Sequence, residues 1–195
     1  DMLKAGLRKI FLDAGFICEE SGEDRRFEYN WVIDPLDGTT NYIHGMPFYS
    51  ISVALMRREE VVLGVVYDIE RRNIYYSYEG LDCSYKNSDK IYISNVRLIE
   101  DALVGTGFPY SDFKYMVEYI ELFKYFMEHS HGVRRPGSAA LDLVLTGEGV
   151  FDIFYEYGLS SWDVAAGSFI VKQSGGIVGD FEGGENYIFG REIVA

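Results

Sequence analysis

Two carboxylates stand three residues apart in Asp34-Pro35-Leu36-Asp37-Gly38-Thr39-Thr40-Asn41, directly after the apolar, β-favouring Trp31-Val32-Ile33. Pro35 cannot donate a ladder hydrogen bond, so the strand is predicted to end near Asp34. Pro35 fixes one backbone angle and Gly38 frees another, which lets Asp34 and Asp37 converge on one point with the Leu36 carbonyl between them. That is an oxygen-rich site for a hard cation. Gly38, Thr39 and Thr40 follow with N–H groups and hydroxyls where a helix could begin, an arrangement that holds a phosphate. The same run is also an ordinary surface turn, in which aspartates bond local N–H groups and the glycine takes a positive φ. Its partners elsewhere in the chain decide between the two readings.

Asp163 is the first of these partners. It falls in the opening turn of a predicted helix, where the positive end of the dipole favours an ionised carboxylate, and it is expected to be charged at neutral pH. A plain capping aspartate has the same position. Glu19 and Glu20 follow the short apolar step Phe16-Ile17, which could aim one glutamate inward; otherwise both are solvated loop charges. Asp180 is read as a turn residue. His129 and His131 have no carboxylate at metal-ligand spacing, which argues against a zinc box.

The elements that position these groups follow from periodicity. Residues 2–12 set Leu3, Leu7, Ile10 and Phe11 on one helical face, and Gly15 supplies a stop. Residues 49–56, 61–68, 73–78 and 90–93 read as an antiparallel meander, its tyrosines packing the sheet. From residue 94 the pattern changes. A strand is predicted over 103–106 and a helix over 115–127, with Met116, Ile120, Phe123 and Met127 on its apolar face. Ser138 is a good N-cap for a helix carrying Ala140, Leu141, Val144 and Leu145 and ending near Gly147. A strand over 150–155 leads to Glu156, a helix over 162–173 ends at Gly175-Gly176, and a short strand covers 177–179. The reading is α+β, with an antiparallel first half over 1–95 and a mixed αβ half over 96–195 that completes the site, the two forming one cooperative unit.

Composition narrows the function. With 195 residues, 48% of them hydrophobic, the chain can bury a substantial core. Its 31 acidic and 18 basic residues give a formal charge of −13, which repels nucleic acid and anionic membranes, and no basic run offsets it. No secretory h-region or long apolar run is present, so a reducing cytoplasm is the default. Cys18 and Cys83 lack metal or redox spacing and read as small buried hydrophobes. The chain opens on Asp1, in mid-helix, as a piece of a longer chain would.

Taken together, these residues resemble the inositol monophosphatase family, within the superfamily of magnesium-dependent, lithium-sensitive phosphomonoesterases. One signature is Trp31-Val32-Ile33-Asp34-Pro35-Leu36-Asp37-Gly38-Thr39-Thr40-Asn41-Tyr42, and the other is Trp162-Asp163-Val164-Ala165-Ala166-Gly167 followed by Gly175-Gly176. The likeness continues through Gly64-Val65-Val66-Tyr67 and Gly137-Ser138-Ala139-Ala140. Cys18 stands where the family usually has glycine, and Ser160 and Ser161 fill a position that varies among members beside the leaving-group pocket.

The resemblance implies a layered αβαβα sandwich, usually dimeric. It implies that Glu19, Asp34 and the Leu36 carbonyl ligate one Mg2+, that Asp37 and Asp163 ligate a second, and that Glu20 stands behind them. Gly38 and Thr39 resemble the phosphate-binding turn, and Gly137, Ser138, Ala139 and Glu156 the residues that hold the polyol. The chemistry asks for such a set: one cation must acidify water while another stabilises a poor alkoxide leaving group, and oxygen-only ligands select magnesium over zinc. Thr39 is expected to orient the attacking water, with Glu19 as proton acceptor and Asp37 as a further catalytic residue. Inositol monophosphate is the expected substrate of a cytoplasmic homodimer that binds neither nucleic acid nor membrane. The alternatives are a sister phosphatase acting on fructose bisphosphate, histidinol phosphate or a nucleotide, and a non-catalytic binding subunit.

Overall fold

The computed structural model describes residues 2–19, 22–23 and 27–195. Helix α1 (Met2–Ile10) leads into an eight-stranded sheet, whose strands are β1 (Gly15–Cys18), β2 (Gly22–Glu23), β3 (Tyr29–Asp37), β4 (Ser50–Arg57), β5 (Glu60–Asp68), β6 (Asn73–Tyr78), β7 (Ser84–Lys86) and β8 (Asp89–Ile91). A second sheet holds β9 (Leu103–Thr106), β10 (Gly132–Arg134), β11 (Ile153–Tyr157) and β12 (Glu192–Val194). The other helices are α2 (Thr39–Ile43), α3 (Met116–His129), α4 (Ala139–Gly147) and α5 (Ser161–Gln173). The first sheet runs β2-β1-β3-β4-β5-β6-β7-β8 and the second β10-β9-β11-β12. Pairing in the first is antiparallel except between β1 and β3; in the second, β9 is parallel to both neighbours.

The period-2 alternation of β3 assigns the layers. Trp31 and Ile33 point to one face, where Leu3, Leu7 and Phe11 of the α1 segment pack with Cys18 and Val53. Val32 points to the other, into a core that joins Ala54 and Val66 to α4, α5 and Phe154 of the second sheet. On the far side of that sheet, Tyr119 and Phe126 of α3 pack on Val104, Tyr155 and Tyr157. The order is therefore α1, sheet, α4 with α5, sheet, α3, the expected αβαβα sandwich. Close approach of α5 is built in at Gly64, where a Cβ would stand 2.7 Å from the Ala166 carbonyl oxygen.

Several expectations need correction. Strand β3 does not end near Asp34 but runs to Asp37. Asp34 pairs Ser52 and Asp37 pairs Ser50, so Pro35 and Leu36 together oppose Ile51. This is a bulge, and β1 has already ended at Cys18 opposite Ile33, so no ladder bond is asked of Pro35. The buried face of α3 is Tyr119 and Phe126, whereas Ile120 and Met127 are exposed. Tyr119 defeats the simple apolar count because its ring is buried and its hydroxyl is satisfied, 2.7 Å from Thr106 Oγ1 and donating to the Gly107 carbonyl at 2.8 Å. β11 starts and ends later than predicted and includes Glu156. Of the strand over 177–179 only a single bridge, Gly179 to Val194, forms, and Ile177 is exposed. Gly15 opens β1 rather than only stopping α1, and β7, β10 and β12 are short strands that periodicity did not reveal.

Candidate active site

A cavity of about 250 Å³ opens where the β3 bulge meets the start of α5 and the ends of β9 and β11; its walls include Glu19, Asp34, Asp37, Thr39, Glu156 and Asp163. Among the described residues, Asp34, Asp37 and Asp163 form a group whose carboxylate oxygens all lie within 4.8 Å of one another. Asp34 and Asp163 are held by local hydrogen bonds and Asp37 by distant ones. Asp34 Oδ1 accepts the Leu36 N–H at 2.8 Å, bending the bulge so that the next carboxylate turns inward. Asp37 Oδ2 accepts Ser138 Oγ–H at 2.5 Å and the Ala140 N–H at 2.9 Å, so the N-terminus of α4 holds it. Asp163 Oδ2 accepts the Ser160 N–H at 2.7 Å, as the third residue of a capping box at the start of α5.

Gly38 takes φ +87° immediately before α2, and a Cβ there would stand 3.0 Å from the Phe48 carbonyl oxygen. Thr39 Oγ1 donates to the Leu36 carbonyl at 2.9 Å, which fixes the turn between the two. Gly137 and Ala139 line the cavity, while Ser138 is buried beneath Asp37. Glu19 is exposed on the cavity wall, outside the aspartate trio, and Glu20 lies outside the described residues. Glu156 lies on the wall built by β11.

Repulsion couples the carboxyls of the group. Burial, then the charge of Asp37, pushes Asp34 up to about 7, against the Leu36 N–H. Asp37 is pushed up to about 6 by burial, opposed by Ser138 and the Ala140 N–H. Asp163 is raised well above the ordinary carboxylate range by burial and then by the charge of Asp37, with the Ser160 N–H opposing. Glu156 is raised to about 8 by burial and Asp37, with Arg135 opposing. Four carboxyls that resist ionising side by side form a site that a divalent cation would relieve, and an all-oxygen donor set fits Mg2+.

Three features escaped the sequence reading. Asn41 Nδ2 donates to the Phe48 and Pro136 carbonyls, both at 2.8 Å, and thereby ties the aspartate turn to the loop before α4. Its place inside the motif was the available signal. Asp142 is 0% exposed, and its carboxyl is raised well above the usual range, first by burial and then by Glu156. The helix around it, AALDLVLTG, is apolar on every side, which is the mark of a helix buried all round, so its one carboxylate had to be inside. Arg135 Nη2 donates to Tyr110 Oη at 3.2 Å, and its guanidinium lies 5.7 Å from the Phe108 ring centroid. No local pattern signals that placement.

An oxygen-only acidic cluster that could hold a cation is set between a bulged strand and two helix N-termini on a five-layer sandwich. The chain belongs to the inositol monophosphatase family, whose model matches residues 1–195, and so stands among metal-dependent phosphatases. It is 40% identical over 196 residues to the putative Nus factor SuhB of Neisseria meningitidis serogroup B, covering 100% of this chain and 75% of that one. It is 35% identical over 197 residues to an inositol-1-monophosphatase of Mesorhizobium japonicum, covering 100% and 74%. The crystal structure of the extragenic suppressor protein suhB of Bartonella henselae superposes with a TM-score of 0.93 at 34% identity, over 99% of this chain and 74% of that one.

Proposed function

We propose that this chain is a magnesium-dependent phosphomonoesterase that hydrolyses a small phosphorylated polyol, with inositol monophosphate as its substrate. The observation that carries the reading is the aspartate trio, drawn from β3 and α5 in different halves of the chain, with oxygens within 4.8 Å of one another. Asp34, Asp37, Asp163, the Leu36 carbonyl and Glu19 would hold Mg2+, which when bound lowers the pKa of water and stabilises charge on a departing alkoxide oxygen. Because each half supplies part of this set, residues 1–95 and 96–195 act as one unit.

The remaining steps belong to the chain's own groups. N–H donors of Gly38 and Thr39 hold the phosphate for in-line displacement, and the Thr39 hydroxyl orients the attacking water. Glu19, on the open side of the cavity, accepts the proton. Gly137 and Ala139 border the polyol, Glu156 accepts one of its hydroxyls, and Ser138 orients Asp37. Water attacks phosphorus directly, the P–O bond to the alcohol breaks, the alkoxide takes a proton from solvent as Glu19 returns its own to solvent, and inositol and phosphate leave without a phosphoenzyme. The same reading has a lithium-sensitive homodimer working in the cytoplasm; among the described residues no helix is long and apolar enough to cross a membrane.

The test is phosphate release from inositol 1-phosphate with and without Mg2+, for the parent and Asp37→Asn, with fructose 1,6-bisphosphate alongside. Turnover that needs both Mg2+ and Asp37 supports the reading, and hydrolysis of the second ester alone moves the substrate to a sister branch. Absence of any Mg2+-dependent release overturns it. Relatives named Nus factor SuhB favour a second, added role of that kind. With a formal charge of −13, such a role would run through protein contacts rather than nucleic acid.

A further inference from the structure

Along β11 the side chains alternate: Phe154 enters the central core, Tyr155 and Tyr157 enter the outer aromatic cluster, and Glu156 turns back to the cavity. In the parallel ladder Tyr155 is opposite Thr106, so the residue beside Glu156 is Gly107. A Cβ on Gly107 would lie 2.0 Å from Glu156 Oε1 and 2.1 Å from both Cδ and Oε2. No real atom could stand there with the carboxylate in place. Gly107 is not among the glycines at positive φ, so its backbone would accept alanine, and what the position demands is space. The bed itself is fixed from behind. Tyr119 Oη donates to the Gly107 carbonyl at 2.8 Å, and Thr106 Oγ1 donates to the Tyr155 carbonyl at 2.9 Å. An added methyl group would therefore move the carboxylate, the free end of a flexible side chain, and leave the strands where they are.

We propose that Gly107 is a specificity-determining position, whose bare Cα is the seat that aims the Glu156 carboxylate at a hydroxyl of the leaving group. This rests on the phosphomonoesterase reading above and assigns the discrimination between polyol and simple esters to a residue that touches no substrate. Gly107 is a positioning residue: it acts only through Glu156. Selection for a hydroxyl-bearing leaving group depends on that acceptor being in place, because a buried acceptor displaced from its hydroxyl loses a charge-assisted hydrogen bond.

The experiment compares the parent, Gly107→Ala, Glu156→Gln and the double variant on inositol 1-phosphate and p-nitrophenyl phosphate, whose leaving group has no hydroxyl for Glu156 to accept. Gly107→Ala is expected to lower the ratio of kcat/KM for the first ester over the second by about tenfold to a hundredfold. In the Glu156→Gln background the same substitution should change that ratio by less than about twofold, since the group it acts through is already altered. Equal losses on both esters, or additive losses in the double variant, would overturn the proposal. If the parent hydrolyses neither of these esters nor fructose 1,6-bisphosphate, the phosphatase reading fails by itself, and a crystal structure of Gly107→Ala still decides the seat. A Glu156 carboxylate displaced by more than about 1 Å with the strands unmoved supports it, and an unmoved carboxylate refutes it.

Discussion

The two walls of the cavity place their carboxylates by different means. On one wall, Asp34, Asp37 and Asp163 each accept N–H or O–H donors at 2.5 to 2.9 Å from a bulge or a helix N-terminus. On the other, Glu156 lies over Gly107 and is aimed by strand alternation and packing. Hydrogen-bonded carboxylates keep their direction when a neighbour changes, because each of the three accepts at least one backbone N–H of a rigid element. A carboxylate seated by packing keeps its direction only while the seat is empty. The first arrangement suits groups that hold charge at a fixed point, and the second suits a group whose partner differs from substrate to substrate.

Substitutions can separate the walls. The largest effect is expected for Asp37→Asn, which keeps an oxygen for Ser138 and Ala140 to bond but removes a charge: Mg2+-dependent phosphate release should fall about a thousandfold with the thermal midpoint preserved. Loss of less than about tenfold would mean that the trio is not the reacting site. Glu156→Gln should cost about tenfold to a hundredfold in kcat/KM on inositol 1-phosphate and little on p-nitrophenyl phosphate. A similar loss on both would erase the distinction between the walls.

The next effects concern stability. Asp34, Asp37 and Glu156 bind protons more tightly in the folded chain than in the unfolded one, at about 7, 6 and 8. Folded pKa values above the unfolded ones mean stability that is full below about pH 4 and is lost as pH rises through about 6 to 8. Urea unfolding of the chelated protein should therefore show a lower free energy at pH 8.5 than at pH 5, and added Mg2+ should close much of the gap by binding only the folded state. A flat profile in chelator would contradict the raised values. The smallest change is expected for Ser138→Ala, which removes the α4 cap and one donor to Asp37, at a cost of about 1–2 kcal/mol in unfolding free energy.

Much of the first wall was legible in the chain. The Asp34 turn, the acidic identity of Asp37 and the freedom needed at Gly38 were readable within one short run, Ser138 as an N-cap, and Asp163 as a first-turn carboxylate. These depend on local backbone geometry, which short stretches dictate. The strand through Pro35 was misread because the penalty for proline depends on whether a neighbour needs its N–H, and β1 ends opposite Ile33, two residues before Pro35. The face of α3 was misread because Tyr119 counts as polar in a pattern but is buried through a network with Thr106 and Gly107.

What the amino-acid sequence by itself determined is the identity of the acidic groups, the two motifs that present them, and the alternation of strand and helix that layers the sandwich. These follow from side-chain chemistry and from periods of two and 3.6 residues, which act over a few neighbours. Only the tertiary structure decided that Asp37 is held by a helix starting a hundred residues later, that Asp142 is wholly buried, and that Glu156 rests on Gly107. Each of these is a contact between segments distant in the chain, fixed by packing after the layers close, and no local pattern contains the distance between two Cα atoms that meet only then.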